Sequence, residues 1–406
     1  MDDERAGRFD HLLAGPAREA VSGDTYGAWR AIDAPEAASL SFGFPFPGSF
    51  PAEDLRAAAE AVLDEASENA LQYVGGPDAD HLVEAVRDRA GERGIDVEED
   101  GVSITNGATH ALDAVCGALL DPGDTVVVGA PTFMGALSVF RNYGVDITGV
   151  PVDGDGLDVD ALSAELRARR EAGRPAPKVV YVVPNFQNPT GVTLSRDRRE
   201  RLVDLAAEYD FLVVEDDAYG ALRYDGDPVP PLAALDDAGR VLRIGTFSKT
   251  IAPGVRTGWL LGDPELVAAA EQVSPGGSDT FVRSVLGRYC AEGHLESNVE
   301  YLRAAYRERR DLMLDALSER MPPGTEYSDP DGGFFVWVEL PEGVDAAAML
   351  PAAAEEGVVY LPGEMFSPDG GGERRLRISF SHAPPEEMER GIAALGRATK
   401  AALADQ

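Results

Sequence analysis

The chain has 406 residues, of which 44% are hydrophobic, and carries 71 acidic and 36 basic side chains for a net charge of −35. This charge disfavours nucleic acid and anionic membranes as partners, because the surface repels their phosphates. The sequence has no run of 18 apolar residues and no apolar leader, so we expect no membrane span and no secretory signal. A cytoplasmic protein is predicted.

Lysine is scarce as well, with only Lys178, Lys249 and Lys400 in the chain. An acidic, lysine-poor surface predicts a halophilic protein, because concentrated salt screens the repulsion between its carboxylates. The two cysteines and five scattered histidines indicate no disulfide framework and no metal site. The segment 153–160 resembles a calcium loop but has Ala164 in place of the closing glutamate, which favours a turn.

From about residue 100, predicted strands alternate with predicted helices. Buried strands are predicted from short, apolar, β-rich runs at 125–130, 178–184, 211–216, 241–247 and 258–263. Helical patterns lie between several of them, such as 195–210 with Ser195 as its N-cap. This alternation predicts an α/β fold whose largely parallel sheet is covered by helices.

After about residue 275 the pattern changes. A long helix is predicted at 296–321, followed by a strand at 332–340, a helix near 344–356, strands near 357–361 and 374–381, and a final helix from about 384. We therefore predict three parts: an N-terminal segment (1–45) that packs on the small domain and the active site, a large domain (46–290) and that small α+β domain (291–406).

The stretch "GTFSKTIAPGVRTG" (245–258) places one of the few lysines among small residues. A phosphate-binding loop needs a glycine where Ser248 stands, and a Ser-x-x-Lys hydrolase needs a serine where Thr246 stands. The remaining chemistry is a Schiff-base lysine, in which Lys249 binds a carbonyl cofactor at the end of a buried strand.

A pyridoxal cofactor makes further demands that can be checked elsewhere in the chain. Its ring nitrogen needs a carboxylate, and "FLVVEDDAYG" offers Glu215, Asp216 and Asp217. Its phenolic oxygen needs a neutral donor, and Asn185, Asn188 and Tyr219 are available from the motifs "VPNFQNPTG" and "EDDAYG".

The cofactor's phosphate needs the start of a helix, hydroxyl groups and a cation. The stretch "TNGATHALDAV" (105–115) opens a helix, and Thr246, Ser248 and Arg256 flank the lysine. Phe133 could stack on the ring. Each signal is weak alone, but all of them follow predicted parallel strands, at the edge where such sheets bind ligands.

Five motifs in the chain, "NPTG", "EDDAYG", "SKTIAPGVRTGW", "PDGGFFVWVEL" and "LRISFS", carry a resemblance to a known family. In order and spacing, the chain resembles the fold-type I, pyridoxal phosphate (PLP)-dependent aminotransferases of class I/II over nearly its whole length. It is most similar to the subgroup of 2-aminoadipate and kynurenine aminotransferases and to the aminotransferase-like domain of MocR-type regulators. The resemblance implies a large PLP-binding domain and a smaller α+β C-terminal domain.

The resemblance also implies a role for particular residues. Lys249 would bear the cofactor and then move the substrate's proton, Asp216 would bind the ring nitrogen, and Asn188 and Tyr219 the phenolic oxygen. Phe133 would stack on the ring. The phosphate would be bound by the backbone of Ala108 and Thr109, by the side chains of Thr246, Ser248 and Arg256, and by Tyr73 of the neighbouring subunit in a homodimer with shared active sites.

The substrate would be bound by Arg377, which would clamp its α-carboxylate, with Gly43 and Asn188 as further contacts. The chain departs from the family pattern where Phe42 replaces a glycine, Ala108 a serine and Phe133 a tyrosine. Phe42, Phe44, Phe46 and Phe50 either shape an apolar substrate pocket or merely anchor the N-terminal segment. An acidic donor also stays open, with Arg30 as a conceivable partner.

The implied activity is transfer of an amino group from an L-amino acid to a 2-oxo acid, by a ping-pong route through pyridoxamine phosphate. The expected donors are aromatic, 2-aminoadipate-like or broad in range. One alternative is a PLP-dependent lyase or decarboxylase of the same fold. Another is a non-catalytic PLP-binding sensor, although about 40 residues before the matching part are too few for a winged-helix domain.

Overall fold

The structure is a computed structural model that describes residues 9–15, 17–18, 32, 34–73, 76–274 and 279–404. Its helices are, in chain order, α1 (Ala52–Ala70), α2 (Pro77–Gly91), α3 (Ala108–Leu119), α4 (Met134–Asn142), α5 (Val159–Glu171), α6 (Arg196–Tyr209), α7 (Pro264–Val273), α8 (Thr280–Ala291), α9 (His294–Arg320), α10 (Ala346–Glu356) and α11 (Pro385–Ala404). Among the described residues, no helix combines the length and apolar character needed to cross a membrane.

The strands form one large sheet and two small ones. The large sheet contains β2 (Val102–Thr105), β3 (Thr125–Ala130), β4 (Asp146–Asp153), β5 (Gly156–Leu157), β6 (Val179–Val182), β7 (Leu212–Asp216), β8 (Val241–Thr246) and β9 (Gly258–Leu261). Its order is β2-β9-β8-β7-β6-β3-β4-β5. The five strands from β8 to β4 are parallel, whereas β9 runs antiparallel to both β8 and β2. The sheet is thus mixed but mostly parallel, which confirms the predicted fold class.

Both faces of this sheet are covered, which explains why its central strands are apolar throughout. On β3, Val126 and Val128 pack in one core with residues of α3 and α4, whereas Val127 packs in another with residues of α5 and α6. Successive strand side chains point to opposite faces, so a strand between two helical layers needs an apolar residue at every position. Each fully buried valine contributes about 1.5–3 kcal/mol.

The C-terminal part has its own antiparallel sheet, in the order β10 (Glu326–Tyr327), β11 (Phe335–Glu339), β14 (Arg375–Ser379) and β13 (Leu361–Pro362). The remaining strands, β1 (Ala38–Ser39) and β12 (Val358–Val359), pair in parallel. The single strand expected near 357–361 is therefore two short strands in different sheets. The pairing of β1 attaches the N-terminal segment to the C-terminal part. The domain boundaries given above remain predictions.

The parallel strands bring their carboxyl ends to one edge of the large sheet, and this edge faces the C-terminal part. Asp216 is the last residue of β7, Lys249 follows β8, Asn188 follows β6 and Phe133 follows β3. Arg377 lies on β14, and its side chain reaches the segment after β6. The sheet edge and the small antiparallel sheet thus enclose the candidate site.

Candidate active site

One cavity of about 340 Å³ lies between the edge of the large sheet, the N-terminal segment and the C-terminal part. All the predicted site residues except Tyr73 line it: Gly43, Ala108, Thr109, Phe133, Asn188, Asp216, Tyr219, Thr246, Ser248, Lys249, Arg256 and Arg377. These residues come from widely separated stretches of the chain, so only the fold brings them together. Tyr73 lies outside the cavity, beyond the end of α1, and is 96% exposed.

Lys249 lies in the loop after β8, and its Nζ donates a hydrogen bond to the carbonyl oxygen of Gly43 at 2.9 Å. Burial, together with the nearby guanidinium groups of Arg377 and Arg256, lowers the pKa of Lys249 to about 8. A lysine with this pKa exposes a neutral amine near neutral pH far more often than a surface lysine does. It is therefore suited to attack a carbonyl group.

The three consecutive acids at the end of β7 have different surroundings, because neighbouring strand side chains point to opposite faces. Asp216 points into the cavity. Glu215 is fully buried, forms an ion pair with Arg243 at 2.6 Å and accepts the backbone N–H of Leu232 and of Ala233. The local sequence did not choose among these three acids, and only the family resemblance selected Asp216. The ion pair and hydrogen bonds of Glu215 explain why its carboxylate is not available to a cofactor.

Asp217 is likewise engaged, by Arg93 at 3.2 Å, by Arg243 and by the amide of Asn185 at 2.8 Å. Burial alone would raise the pKa of Asp217, but Arg243 and Arg93 outweigh it and bring the pKa to about 2. Asn185, one of the candidates for the phenolic oxygen, is thereby committed to Asp217 and to Arg199 rather than to the cavity.

The two carboxylate oxygens of Asp216 differ in their partners. Its Oδ2 accepts the hydroxyl of Tyr181 at 2.7 Å, whereas its Oδ1 is buried and has no hydrogen-bond partner in the part of the chain that the structure describes. Burial raises the pKa of Asp216 to about 6, and the hydrogen bond from Tyr181 opposes that rise. A buried acceptor without a donor is costly, so Oδ1 is a fitting partner for the protonated ring nitrogen of a pyridoxal group.

Tyr181 was not predicted from the sequence. It lies on β6, is fully buried and packs edge-on against Phe140 at a ring distance of 5.5 Å. The one available signal was a phenol within the otherwise apolar run "VVYVV", because a buried tyrosine hydroxyl needs a polar partner.

Asn188 and Arg377 are joined by a hydrogen bond in which Nη1 of Arg377 donates to Oδ1 of Asn188 at 2.7 Å. This bond orients the amide of Asn188, so that its NH2 group is left to donate to another acceptor. Tyr219 lies beside Asp216 in the cavity wall, with its ring edge-on to Phe335 at 5.8 Å. Burial raises the pKa of Tyr219, so its hydroxyl remains a proton donor.

The start of α3 forms an anion cradle with the lysine loop. The first N–H groups of a helix have no acceptor within it and favour an anion. Gly107, the N-cap of α3, has a φ of 88°, and a Cβ there would lie only 3.0 Å from a guanidinium nitrogen of Arg256. Thr246 and Ser248 share a hydroxyl hydrogen bond of 2.9 Å beside it. Backbone N–H groups, hydroxyls and a guanidinium together form the donor set that a phosphate needs.

Arg377 is only 4% exposed, and its guanidinium lies over the ring of Phe335 at 4.1 Å. It also donates to the carbonyl oxygen of Ser41, while its Nε has no hydrogen-bond partner among the residues described. No carboxylate of the described residues shifts the pKa of Arg377, and burial lowers that pKa. A buried cation without an anion is unfavourable, so this group is ready to bind a carboxylate ligand.

The sequence predicted only some of the side chains that form the apolar part of the cavity. Phe42 and Phe44 line it and stack on each other at 4.8 Å. Phe46 instead packs on Tyr306 at 5.4 Å, so it anchors the segment. Residues that sequence reasoning missed are Met134, Val183, Ala218, Pro253, Phe335 and Leu361. Nothing in their local sequence separates them from ordinary core residues.

These features together fit pyridoxal phosphate and an amino acid carboxylate: a lysine with a lowered pKa, a buried carboxylate with an unpartnered oxygen, an anion cradle and a guanidinium without a carboxylate. An α/β chain with such a cavity has the architecture of a fold-type I aminotransferase. Among the described residues, no group of three or more His, Cys, Asp or Glu is arranged to hold a metal ion.

Comparison with known proteins leads to the same class. The model of the family "Aminotransferase class I and II" matches residues 46–395. The chain is 38% identical to aromatic-amino-acid aminotransferase 1 of Thermococcus litoralis over 373 residues, which cover 91% of this chain and 89% of the relative. This chain therefore belongs to the class I and II aminotransferases and is an aminotransferase.

Solved structures agree in fold over almost the whole chain. The multiple substrate aminotransferase from Thermococcus profundus superposes with a TM-score of 0.93 at 37% identity, covering 98% of this chain and 100% of that one. The α-aminoadipate aminotransferase from Thermus thermophilus, complexed with N-(5'-phosphopyridoxyl)-L-leucine, superposes with a TM-score of 0.87 at 33% identity, covering 98% and 100%. The ligand of that second protein is derived from pyridoxal phosphate, which implies PLP for the family.

Proposed function

We propose that this aminotransferase moves an amino group from an L-amino acid with an apolar or aromatic side chain to a 2-oxo acid, in two half-reactions that share one site. The observation that carries this proposal is the buried Arg377, which has no carboxylate partner among the described residues and lies in the same cavity as Lys249. A carboxylate bound to Arg377 would bring the neighbouring Cα within the same enclosed space as the lysine amine.

Pyridoxal phosphate would be held by the groups already described. Oδ1 of Asp216 would accept a hydrogen bond from the protonated ring nitrogen. The NH2 group of Asn188 and the hydroxyl of Tyr219 would donate to the phenolic oxygen. The cradle at the start of α3 would hold the phosphate. Phe133, in the wall of the cavity, would cover one face of the ring. When bound, the cofactor supplies an electron sink that weakens a bond at the substrate's Cα.

The protein's own contribution is to choose that bond and to move the proton. Arg377 fixes the carboxylate by charge-assisted hydrogen bonds, which disfavours its loss and leaves the Cα–H bond to be broken. Lys249 has a pKa of about 8, so its neutral amine can take the proton from the substrate's Cα. It would then deliver this proton to the adjacent carbon of the cofactor. Asp216, which also lines the cavity, keeps a negative charge above its pKa of about 6.

The shape of the apolar wall supports an apolar or aromatic donor. Phe42, Phe44, Met134, Phe335 and Leu361 line the cavity, and the rings of Phe42 and Phe44 stack at its edge. The cationic side chains of the described lining are those of Lys249, Arg256 and Arg377, which already have the roles given above. A second carboxylate, as in aspartate or glutamate, would thus meet no further cation there. Arg30 lies outside the described residues.

The test is the rate of 2-oxo acid formation from a panel of L-amino acids with 2-oxoglutarate as acceptor. We expect aromatic and large aliphatic donors to be fastest, and Phe44→Ala to slow them more than it slows alanine. Fastest turnover of aspartate or glutamate would refute the apolar pocket. Release of ammonia or CO2 without an acceptor would favour the lyase alternative, and binding of amino acids without any turnover would favour the sensor.

We further propose that two copies share their sites through Tyr73. This residue is 96% exposed, and Leu71 close by is 66% exposed, so this surface is free to meet a second copy. Mixing Tyr73→Ala chains with Lys249→Ala chains tests this directly. In a symmetric dimer, one site would combine an intact Lys249 with the partner subunit's Tyr73, so the mixture should regain activity that neither variant has alone. No gain, although mixed dimers form, would contradict shared sites.

A further inference from the structure

A second cavity, of about 460 Å³, lies next to Asp217 and outside the candidate active site. Arg93 and Asn185 line it, and both bind Asp217. We call it the arginine cavity, because Arg93, Arg223 and Arg303 all line it. These side chains come from the turn after α2, the segment after β7 and the helix α9, so the fold gathers them from three distant parts of the chain.

The three guanidinium groups have incomplete sets of close partners among the described residues. Arg223 is 3.6 Å from Asp331 and has a side chain 12% exposed, yet its Nη2 is buried and has no hydrogen-bond partner within the described ranges. Arg303 donates its Nε to the carbonyl oxygen of Ala221 at 2.8 Å, and no carboxylate of the described residues forms an ion pair with it. The terminal nitrogens of Arg303 are thus left for another acceptor.

Arg93 pairs with Asp217, which also pairs with Arg243. Burial lowers the pKa of Arg93, and of Arg223 and Arg303 as well, and the charge of Arg303 adds to the effect on Arg93. The lining itself holds three guanidinium groups and one carboxylate, that of Glu92, so positive charge is in excess within it. Outside the lining, Asp217, Asp227 and Asp331 act on Arg93 or Arg223, and Glu300 acts on Arg303, and their charges oppose this lowering of the pKa. In a chain with a net charge of −35 such a local excess is unexpected, and an anion would relieve it.

The lining also contains the apolar segment 228–231, "PVPP". We propose that the arginine cavity is a binding site for a small organic anion with two or more negative charges, carried by carboxylate or phosphate groups. The planar guanidinium fork matches both groups. Arg93 would be shared between this anion and Asp217, which directly follows Asp216 of the active site in the chain.

The test is equilibrium binding of citrate and of inorganic phosphate to the holoenzyme at one fixed salt concentration. We expect Arg303→Gln to weaken binding roughly tenfold or more, since it removes a charge-assisted contact. The matched control is Arg307→Gln, which removes the same charge one turn later on α9 from a residue paired with Asp225 at 3.1 Å. This control should bind as the wild type does. Preference for citrate would identify carboxylates as the natural group, and preference for phosphate a phosphate ester.

A second measurement does not depend on a variant. Phenylglyoxal modification of Arg303, followed by mass spectrometry of its peptide, should be slowed by the binding anion, whereas modification of Arg307 should not change. Equal loss of binding in Arg303→Gln and Arg307→Gln, or no protection of Arg303 at saturating anion, would overturn the proposal.

Discussion

Replacing Arg377 by glutamine should separate substrate binding from folding. The wild-type guanidinium carries five N–H groups, of which two are donated to Asn188 and Ser41, so three remain for a ligand. Two of these suffice for a paired contact with a carboxylate. Removing one partner of such a buried pair costs about 3–5 kcal/mol, and each 1.4 kcal/mol corresponds to about a factor of ten. We therefore expect kcat/KM for amino acids to fall by about 100- to 4000-fold.

The same variant should fold as well as the wild type. It loses the contact with the ring of Phe335 and two hydrogen bonds, but it also removes a buried charge that lacks a carboxylate in the free protein. Because these effects oppose each other, we expect the free energy of unfolding to change by less than about 1 kcal/mol.

The assay is a pair of measurements, steady-state kinetics and urea unfolding, on Arg377→Gln and on the control Arg375→Gln. Arg375 lies on the same strand two residues earlier, is partly exposed and pairs with Glu339 at 3.0 Å. The control should keep wild-type kinetics. An amine that lacks the α-carboxylate should lose little from Arg377→Gln. Near wild-type kcat/KM for amino acids in this variant would refute the assigned role of Arg377.

Four further predictions follow from the charges of the site and from the net charge of the whole chain. Uptake of pyridoxal phosphate by the apoprotein should become faster as pH rises through about 8, because the neutral amine of Lys249 is the reactive form; a rate that is flat across this range would contradict its lowered pKa, and the visible band of the bound cofactor is the measure. Acid should destabilise the fold through Asp217, because Arg243 in particular holds the pKa of Asp217 at about 2 against the effect of burial. The stabilisation that the ionised Asp217 gives the fold is complete above the unfolded pKa of about 3.9 and is lost as pH falls towards 2. Asp217→Asn should therefore flatten the acid side of a plot of unfolding free energy against pH. Tyr181→Phe should raise the pKa of Asp216 by removing a hydrogen bond that lowers it, so the acid limb of the kcat/KM profile should move to higher pH, with a loss of about tenfold at neutral pH; an unmoved limb would mean that Tyr181 is only structural. Finally, if the net charge of −35 reflects adaptation to salt, the melting temperature should rise between about 0.1 M and molar KCl, where the screening length falls from about 10 to about 3 Å, and a falling melting temperature would contradict it.

The sequence predicted most of the large sheet because its strands are apolar at every position and end in recognisable motifs. It did not predict that β9 runs antiparallel to β8, since "GWLLGD" has the same apolar pattern as the parallel strands. It also merged β12 and β13 into one strand, although each is two residues long and they pair with different partners. Strand direction and partner are set by tertiary contacts, which a local pattern does not contain.

In the site, the chemical groups were predictable and their surroundings were not. The motifs pointed to Lys249, and the family resemblance selected Asp216 from three adjacent acids. The commitment of Glu215 and Asp217 to Arg243, however, depends on a residue one strand away. Tyr181 and Phe335 were missed for the same reason, because their roles arise only where separate strands meet.

The most direct measurement is the visible absorption spectrum of the wild type and of Lys249→Ala, each incubated with pyridoxal phosphate and then freed of excess. The wild type should show a visible band that bleaches when an amino acid is added and returns when a 2-oxo acid follows. Lys249→Ala should show no such cycle. A wild-type band that shifts without bleaching, or no band at all, would contradict the assignment of this cavity as the site of amino transfer.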